Sequence, residues 1–121
     1  MVTKRELEAM LNRLGRAFVT HPRDPNALLV AGSEPNHEPV TVGLDEPLAT
    51  FRLRVGSADN ADAALLRRLL VLNAQALVTC SFGIRGEDIV LEASLGLARL
   101  EEADVMSTLA EIDLMRDEAR N

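Results

Sequence analysis

Apolar residues in this chain recur with helical spacing at both ends and alternate one by one in between, and this change of period limits the available folds. Thr3 and Glu6 form a capping box at a helix start, and an apolar stripe then repeats every three or four residues through Phe18. We expect this helix to span about 15 residues, because Pro22 cannot continue it.

Three strands are predicted after this helix. An apolar run at 27–31 is followed by alternating apolar residues at 40–44 and 51–55. The segments between them contain Pro, Gly and Asn, which set the backbone angles of turns. Arg52 and Arg54 point to the same face of the third strand, so that face is expected to meet solvent.

A leucine-rich helix follows, with Asp59 as its expected N-cap. Its leucines, between residues 65 and 72, cover more than half of the helix circumference. One buried stripe does not need so wide a face, so the pattern favours burial on two sides, against the sheet and against a second subunit. Asn73, in the last turn, is expected to close the helix.

A hairpin and a final helix complete the pattern. Apolar residues alternate at 78–84 and again at 89–97, on either side of a Gly-containing turn, and residues 101–118 form an amphipathic helix. The order α-β-β-β-α-β-β-α predicts one α+β domain over residues 1–121. An antiparallel sheet with helices packed on one side is expected, because sequential antiparallel strands need only short turns.

Charge and cysteine content narrow the function classes. The formal net charge of −6 repels nucleic-acid phosphates and anionic membrane surfaces. A nucleic-acid partner would therefore need a local basic face, built from residues such as Arg52, Arg54, Arg67 and Arg68. The single Cys80 cannot form an internal disulfide, and no apolar stretch is long enough to cross a membrane, so a cytoplasmic protein is expected.

Few residues indicate chemistry. His37 and several carboxylates occur in the loop-rich segment 32–46, which makes a small ligand-binding or enzymatic site there one hypothesis, although no metal-binding spacing is present. Cys80 alternates with apolar residues, which favours core packing, and the carboxylates of the last helix are expected to form its solvated face. We expect no catalytic residue, no metal site and no cofactor, and favour a non-enzymatic role.

Residues 65–113 resemble the second half of the type III secretion chaperone fold, and equally the YbjN family of proposed sensory-transduction regulators. The resemblance lies in a Leu-rich helix ending in Leu-Asn, a strand before a Gly-containing turn, a strand with Ile-Val-Leu, a Leu-x-x-Leu link and an amphipathic helix. It implies a small cytoplasmic homodimer without catalytic residues that binds a segment of another protein. That protein would be either a regulatory partner or a specific secreted effector.

The resemblance also assigns two sets of positions. The dimer contact would comprise Leu65, Leu66, Leu69, Leu70, Leu72, Val78, Cys80 and Phe82. The partner-binding positions would be Leu7, Leu11, Leu14, Phe51 and Leu53. For each of these residues the alternative is a place in the core of the single chain.

Overall fold

Six strands form one antiparallel sheet in the computed structural model, which describes residues 1–120. The elements in chain order are α1 (Lys4–Arg13), β1 (Phe18–His21), β2 (Asp24–Val30), β3 (Val40–Asp45), β4 (Leu48–Ser57), α2 (Ala63–Gln75), β5 (Ser81–Arg85), β6 (Asp88–Gly96) and α3 (Glu102–Met115). The strand order across the sheet is β1-β2-β3-β4-β6-β5, so β1 and β5 are the edges. The helices lie on one side, and the predicted α+β architecture is confirmed.

The chain forms one more strand before α2 than the alternation predicts. Helix α1 ends at Arg13, and Gly15 follows with a φ of 72°. The amide of Arg16 donates to the carbonyl of Leu11, and that of Gly15 to Asn12, which is a Schellman closure. Phe18 therefore begins β1 and does not belong to α1, although its spacing from Leu14 fits a helix equally well.

Two other boundaries differ from the predicted ones. The N-cap of α2 is Asp62, whose carboxylate accepts the amide of Leu65 at 2.8 Å, and not Asp59. Strand β5 begins only at Ser81, so Val78 lies in the preceding loop with 90% of its surface exposed. The alternation at 78–84 thus extends three residues beyond the strand itself.

The core lies between the three helices and the face of the sheet that they cover. Leu7 and Leu11 of α1 are fully buried there, as are Val105 and Ile112 of α3. Phe51 of β4 is the largest side chain that is fully buried among the described residues. Burial of a leucine or phenylalanine contributes about 1.5–3 kcal/mol, so these side chains hold the helices on the sheet.

The opposite face of the sheet carries charged side chains in cross-strand pairs. Glu92 of β6 accepts from Arg52 at 2.8 Å and from Arg85 at 2.9 Å, and Arg54 contacts Asp88 at 2.7 Å. Burial would raise the pKa of Glu92, but the hydrogen bonds and charges of Arg85 and Arg52 outweigh it and lower the pKa. This face is polar, as the alternation of the arginines predicts.

Candidate docking site

An apolar groove runs between α2 and the edge strand β5, with a volume of about 180 Å³. Its lining consists of Leu66, Leu69, Leu70, Asn73, Phe82, Gly83, Ile84 and Ile89, without a charged side chain. Because β5 is the last strand of the sheet, no further strand covers this side of the groove. An engineered apolar cavity of about 150 Å³ binds benzene, so this groove can hold side chains of comparable size.

Several apolar side chains beside the groove are open to solvent. Leu70 is 67% exposed, Ile84 57% and Val71 42%. Of these, Leu70 of α2 and Ile84 of β5 line the groove from its two walls, and with the rest of the lining they form one apolar surface. Such contiguous surface on a folded chain is typical of a contact site for another molecule.

Asn73 joins the two walls of the groove. Its Nδ2 donates to the carbonyl of Phe82 at 3.0 Å, and its Oδ1 accepts the amide of Phe82 at 2.7 Å. The prediction that Asn73 closes α2 is wrong, because the helix continues to Gln75 and its end is closed by bonds to the carbonyl of Leu72. An amide side chain within an apolar helix stripe requires a hydrogen-bond partner. The position of Asn73 in the sequence therefore indicates a contact with another part of the chain.

Glu111 of α3 holds the loop that precedes β5. Its carboxylate accepts the backbone amides of Val78 and Thr79, each at 3.1 Å, and of Cys80 at 2.7 Å. Burial would raise the pKa of Glu111, but these amide hydrogen bonds outweigh it and lower the pKa. The prediction of a purely solvated acidic face on the last helix is therefore wrong at this position.

Cys80 is a buried thiol within this loop. Burial, followed by the negative charge of Glu111, raises its pKa to about 12. Its Sγ points to the carbonyl of Thr108 at 3.9 Å. A thiol in this state is not a nucleophile at neutral pH, which agrees with the predicted packing role.

The structure separates the predicted dimer positions into three groups. Buried within the chain are Leu65, Leu69, Cys80 and Phe82. Leu66 and Leu72 are half-buried, and Leu70 and Val78 are exposed. Ile84 and Val71, which lie within the predicted contact ranges 78–84 and 65–72, are also exposed.

The predicted partner-binding positions lie in the core. Leu7, Leu11, Phe51 and Leu53 are buried against the sheet and helices of the same chain, and Leu14 is half-buried. A partner could contact the four buried side chains only after the core had opened. Their periodicity reflects packing within the monomer, so an accessible partner surface must lie elsewhere.

Segment 32–46 contributes to a polar cavity of about 250 Å³. Its lining comprises Asn36, His37, Glu38, Leu53, Arg54, Val55, Arg116, Asp117 and Arg120. The arginines there already contact acceptors: Arg116 bonds the carbonyl of Glu38 and Asp113, and Arg120 pairs with Asp117 at 3.2 Å. Within residues 1–120, no group of three or more His, Cys, Asp or Glu side chains could hold a metal ion.

The four arginines considered for a basic face are mostly engaged. Arg52 and Arg54 pair with carboxylates, and Arg68 donates to the backbone carbonyls of Glu118 and Arg120. The guanidinium groups of these three arginines therefore already have acceptors within the chain. This arrangement gives little support to a phosphate-binding surface.

A six-stranded antiparallel sheet with helices on one side is the type III secretion chaperone-like class of fold. The chain belongs to the CesT_Tir_1 family of type III secretion chaperones, whose model matches residues 2–119. No curated protein is similar enough to count as a match. No helix within the described residues is long and apolar enough to cross a membrane.

Solved structures share the fold at low sequence identity. YbjN from E. coli is 18% identical, with a TM-score of 0.68, and the match covers 95% of this chain and 89% of YbjN. A chain of the heterodimeric ExoU–SpcU complex from the type III secretion system of Pseudomonas aeruginosa is 12% identical, with a TM-score of 0.67 and coverage of 93% and 96%. A chain of the ExsC–ExsE complex is 16% identical, with a TM-score of 0.57 and coverage of 97% and 92%.

Proposed function

We propose that the protein is a non-enzymatic chaperone-like or regulatory protein of the cytoplasm that acts as a homodimer and binds a segment of another protein. Its family membership supports a partner-binding role, and two of the similar structures are complexes of two proteins. The observation that carries the proposal is the uncharged groove between α2 and β5, with Leu70 and Ile84 exposed beside it.

A second copy of the chain fits this groove better than a charged partner. The chain carries a net charge of −6, so two copies repel except where carboxylates are absent. The groove lining is such a region. A two-fold contact would place Leu70 of each copy against the groove of the other, because symmetric dimers use the same surface twice.

The partner segment fits the opposite edge of the sheet. Val19 of β1 is 62% exposed, and it lies with Phe18, Leu29 and Pro39 along a shallow apolar depression of about 230 Å³. An edge strand offers unpaired backbone groups to an extended segment, and neighbouring apolar depressions take its side chains. This surface is accessible, unlike the core positions suggested by the family resemblance.

Three residues that could carry chemistry, Cys80, Glu111 and His21, have structural roles, which supports a non-enzymatic function. Cys80 is a buried thiol with a raised pKa, and Glu111 holds three backbone amides. The Nδ1 of His21 accepts the amide of Arg23 at 3.0 Å. The rival ligand-binding hypothesis would use the polar cavity beside His37. Arg116 and Arg120 in its lining already bond acceptors of the same chain, so they are not free to bind a ligand.

Sedimentation velocity at micromolar concentration tests the dimer. We expect wild-type protein to be dimeric and Leu70→Glu to be monomeric, because the new carboxylate would be buried in the apolar contact. Leu114→Glu is the matched control, since Leu114 is a leucine of α3 with 74% exposure that does not line the groove. A monomeric wild-type protein, or dissociation by the control alone, would contradict the proposed dimer.

Capture of cellular proteins tests the β1 surface. The amide of Ala31 donates to the carbonyl of Ala17, so the alternate residues Phe18 and Thr20 direct their backbone groups away from β2. Thr20→Pro removes an outward donor and should abolish capture of partners held by wild-type protein. Thr20→Val keeps that donor and should retain them. Equal capture by both variants would exclude strand pairing at β1.

A further inference from the structure

The hairpin register fixes which backbone groups of β5 face away from the sheet. Arg85 and Asp88 flank the two-residue turn and form a backbone-bonded pair. Gly86 has a φ of 60°, as the first central position of a type II′ turn requires. Bonding alternates along an antiparallel ladder, so Phe82 and Ile84 direct their amides and carbonyls outward, toward the place of a seventh strand.

A side chain occupies most of that place. Asn73 bonds both the amide and the carbonyl of Phe82, which is the pair of bonds that a neighbouring strand would make. Further along the same edge, Glu111 takes the amide of Cys80. Of the two outward-facing residues of β5, Ile84 alone keeps its backbone groups available.

We propose that Asn73 substitutes for a strand and closes the β5 edge to strand addition, so that copies of the chain meet here through apolar side chains and do not extend the sheet. The contact between two copies rests on the proposed homodimer, whereas closure of the β5 edge by Asn73 does not depend on the homodimer. The β1 edge has no equivalent side-chain cap on its outward backbone among the described residues, so the two edges differ in what they accept.

The physical reason lies in the cost of an unpaired edge beside an apolar surface. Loss of the Asn73 amide would leave the amide and carbonyl of Phe82 without protein partners in a groove lined mainly by apolar side chains. Another strand is the partner that best replaces both bonds at once. An uncapped β5 next to exposed Leu70 and Ile84 would therefore favour edge-to-edge association.

The test compares Asn73→Ala with Gln75→Ala in sedimentation velocity over a concentration series. Gln75 is an exposed amide residue two positions along the same helix and makes no side-chain bond in the structure. We expect wild-type protein and Gln75→Ala to keep one discrete stoichiometry. Asn73→Ala should form species that grow with concentration, and an unchanged stoichiometry would overturn the proposal.

Hydrogen exchange at the Phe82 amide gives a second readout that does not depend on association. In dilute Asn73→Ala this amide should exchange about fivefold faster than in wild-type protein, the factor expected for loss of one hydrogen bond of about 1 kcal/mol. Equal exchange rates would show that Asn73 does not protect the edge. Asn73→Asp keeps an acceptor for this amide, so it should retain protection close to that of wild-type protein.

The double variant Asn73→Ala/Leu70→Glu separates this inference from the proposed dimer. Leu70→Glu removes docking through the groove, whereas strand pairing uses the backbone of β5. We expect the double variant still to form species that grow with concentration. If Leu70→Glu abolishes the growth, the association uses side-chain contacts and the strand-substitute role of Asn73 is excluded. If wild-type protein is monomeric but Asn73→Ala associates, the dimer proposal fails and the edge closure stands.

Discussion

The carboxylate of Glu111 lies 2.7 Å from the amide nitrogen of Cys80, and this contact fixes the start of an edge strand to the last helix of the chain. The same carboxylate accepts the two preceding amides, of Val78 and Thr79. Three donors that β6 does not pair are thus satisfied by one side chain from 31 to 33 residues away.

Glu111→Gln should lower the free energy of unfolding at pH 7 by about 1–2 kcal/mol, because hydrogen bonds to a charged acceptor are stronger than those to an amide. The folded-state pKa of Glu111 is lowered, so its stabilisation is present above the ordinary carboxyl value of 4.5 and is lost as the pH falls through the folded value. Urea unfolding at pH 7 and at about pH 3.5 should show the difference between the two proteins shrinking in acid. Glu87→Gln, in the exposed hairpin turn, should change stability little at either pH.

Gly32→Ala should destabilise the fold by about 1–3 kcal/mol, the usual cost of an added methyl group in a packed site. A Cβ at this position would lie 2.4 Å from the Cβ of His37 and 2.7 Å from Nη1 of Arg116. Gly43→Ala is the control, because a Cβ there meets nothing within 4 Å. Thermal unfolding of the two variants measures the contrast, and equal melting temperatures would show that segment 32–39 can move away from Gly32.

Asp113→Asn should lower the free energy of unfolding by about 3 kcal/mol, because it leaves the buried guanidinium of Arg116 without its counter-charge. Asp113 contacts Arg16 at 2.6 Å and Arg116 at 3.4 Å, and the side chain of Arg116 is only 6% exposed. Glu102→Gln removes a comparable pair with Arg13 that is largely in solvent, and it should cost less than about 1 kcal/mol. Chemical denaturation measures the loss of stability in both variants. Equal losses would show that burial of the ion pair does not determine its contribution.

Leu11→Ala should lower the free energy of unfolding by about 2–5 kcal/mol, because Leu11 is fully buried in the core. Leu70→Ala removes the same atoms from an exposed site, so it should change the stability of the monomer by less than about 0.5 kcal/mol while weakening the proposed dimer. Urea unfolding at low concentration, together with sedimentation, separates the two effects. A large loss of monomer stability in Leu70→Ala would place Leu70 in the core.

The fold class follows from the sequence because its helices and strands have different apolar periods. Phe18 shows the limit of that signal: four residues after Leu14 it fits a helix stripe, but Gly15 turns the chain and Phe18 begins β1. Leu7 and Leu11 show another limit, since apolar periodicity identifies a buried face without indicating what covers it. The roles of Asn73 and Glu111 depend on backbone groups 9 or more residues away, which local patterns do not reveal.

The two side chains that secure β5, Asn73 and Glu111, belong to different helices. This affects the order in which the contacts of β5 can form during synthesis of the chain. A chain still on the ribosome that has been made only as far as β6 already contains Asn73 and can form the bonds to Phe82. The amides of residues 78–80 have no carboxylate until residue 111 has emerged. The loop before β5 therefore gains the contacts that hold its amides only after Glu111 of α3 has left the ribosome.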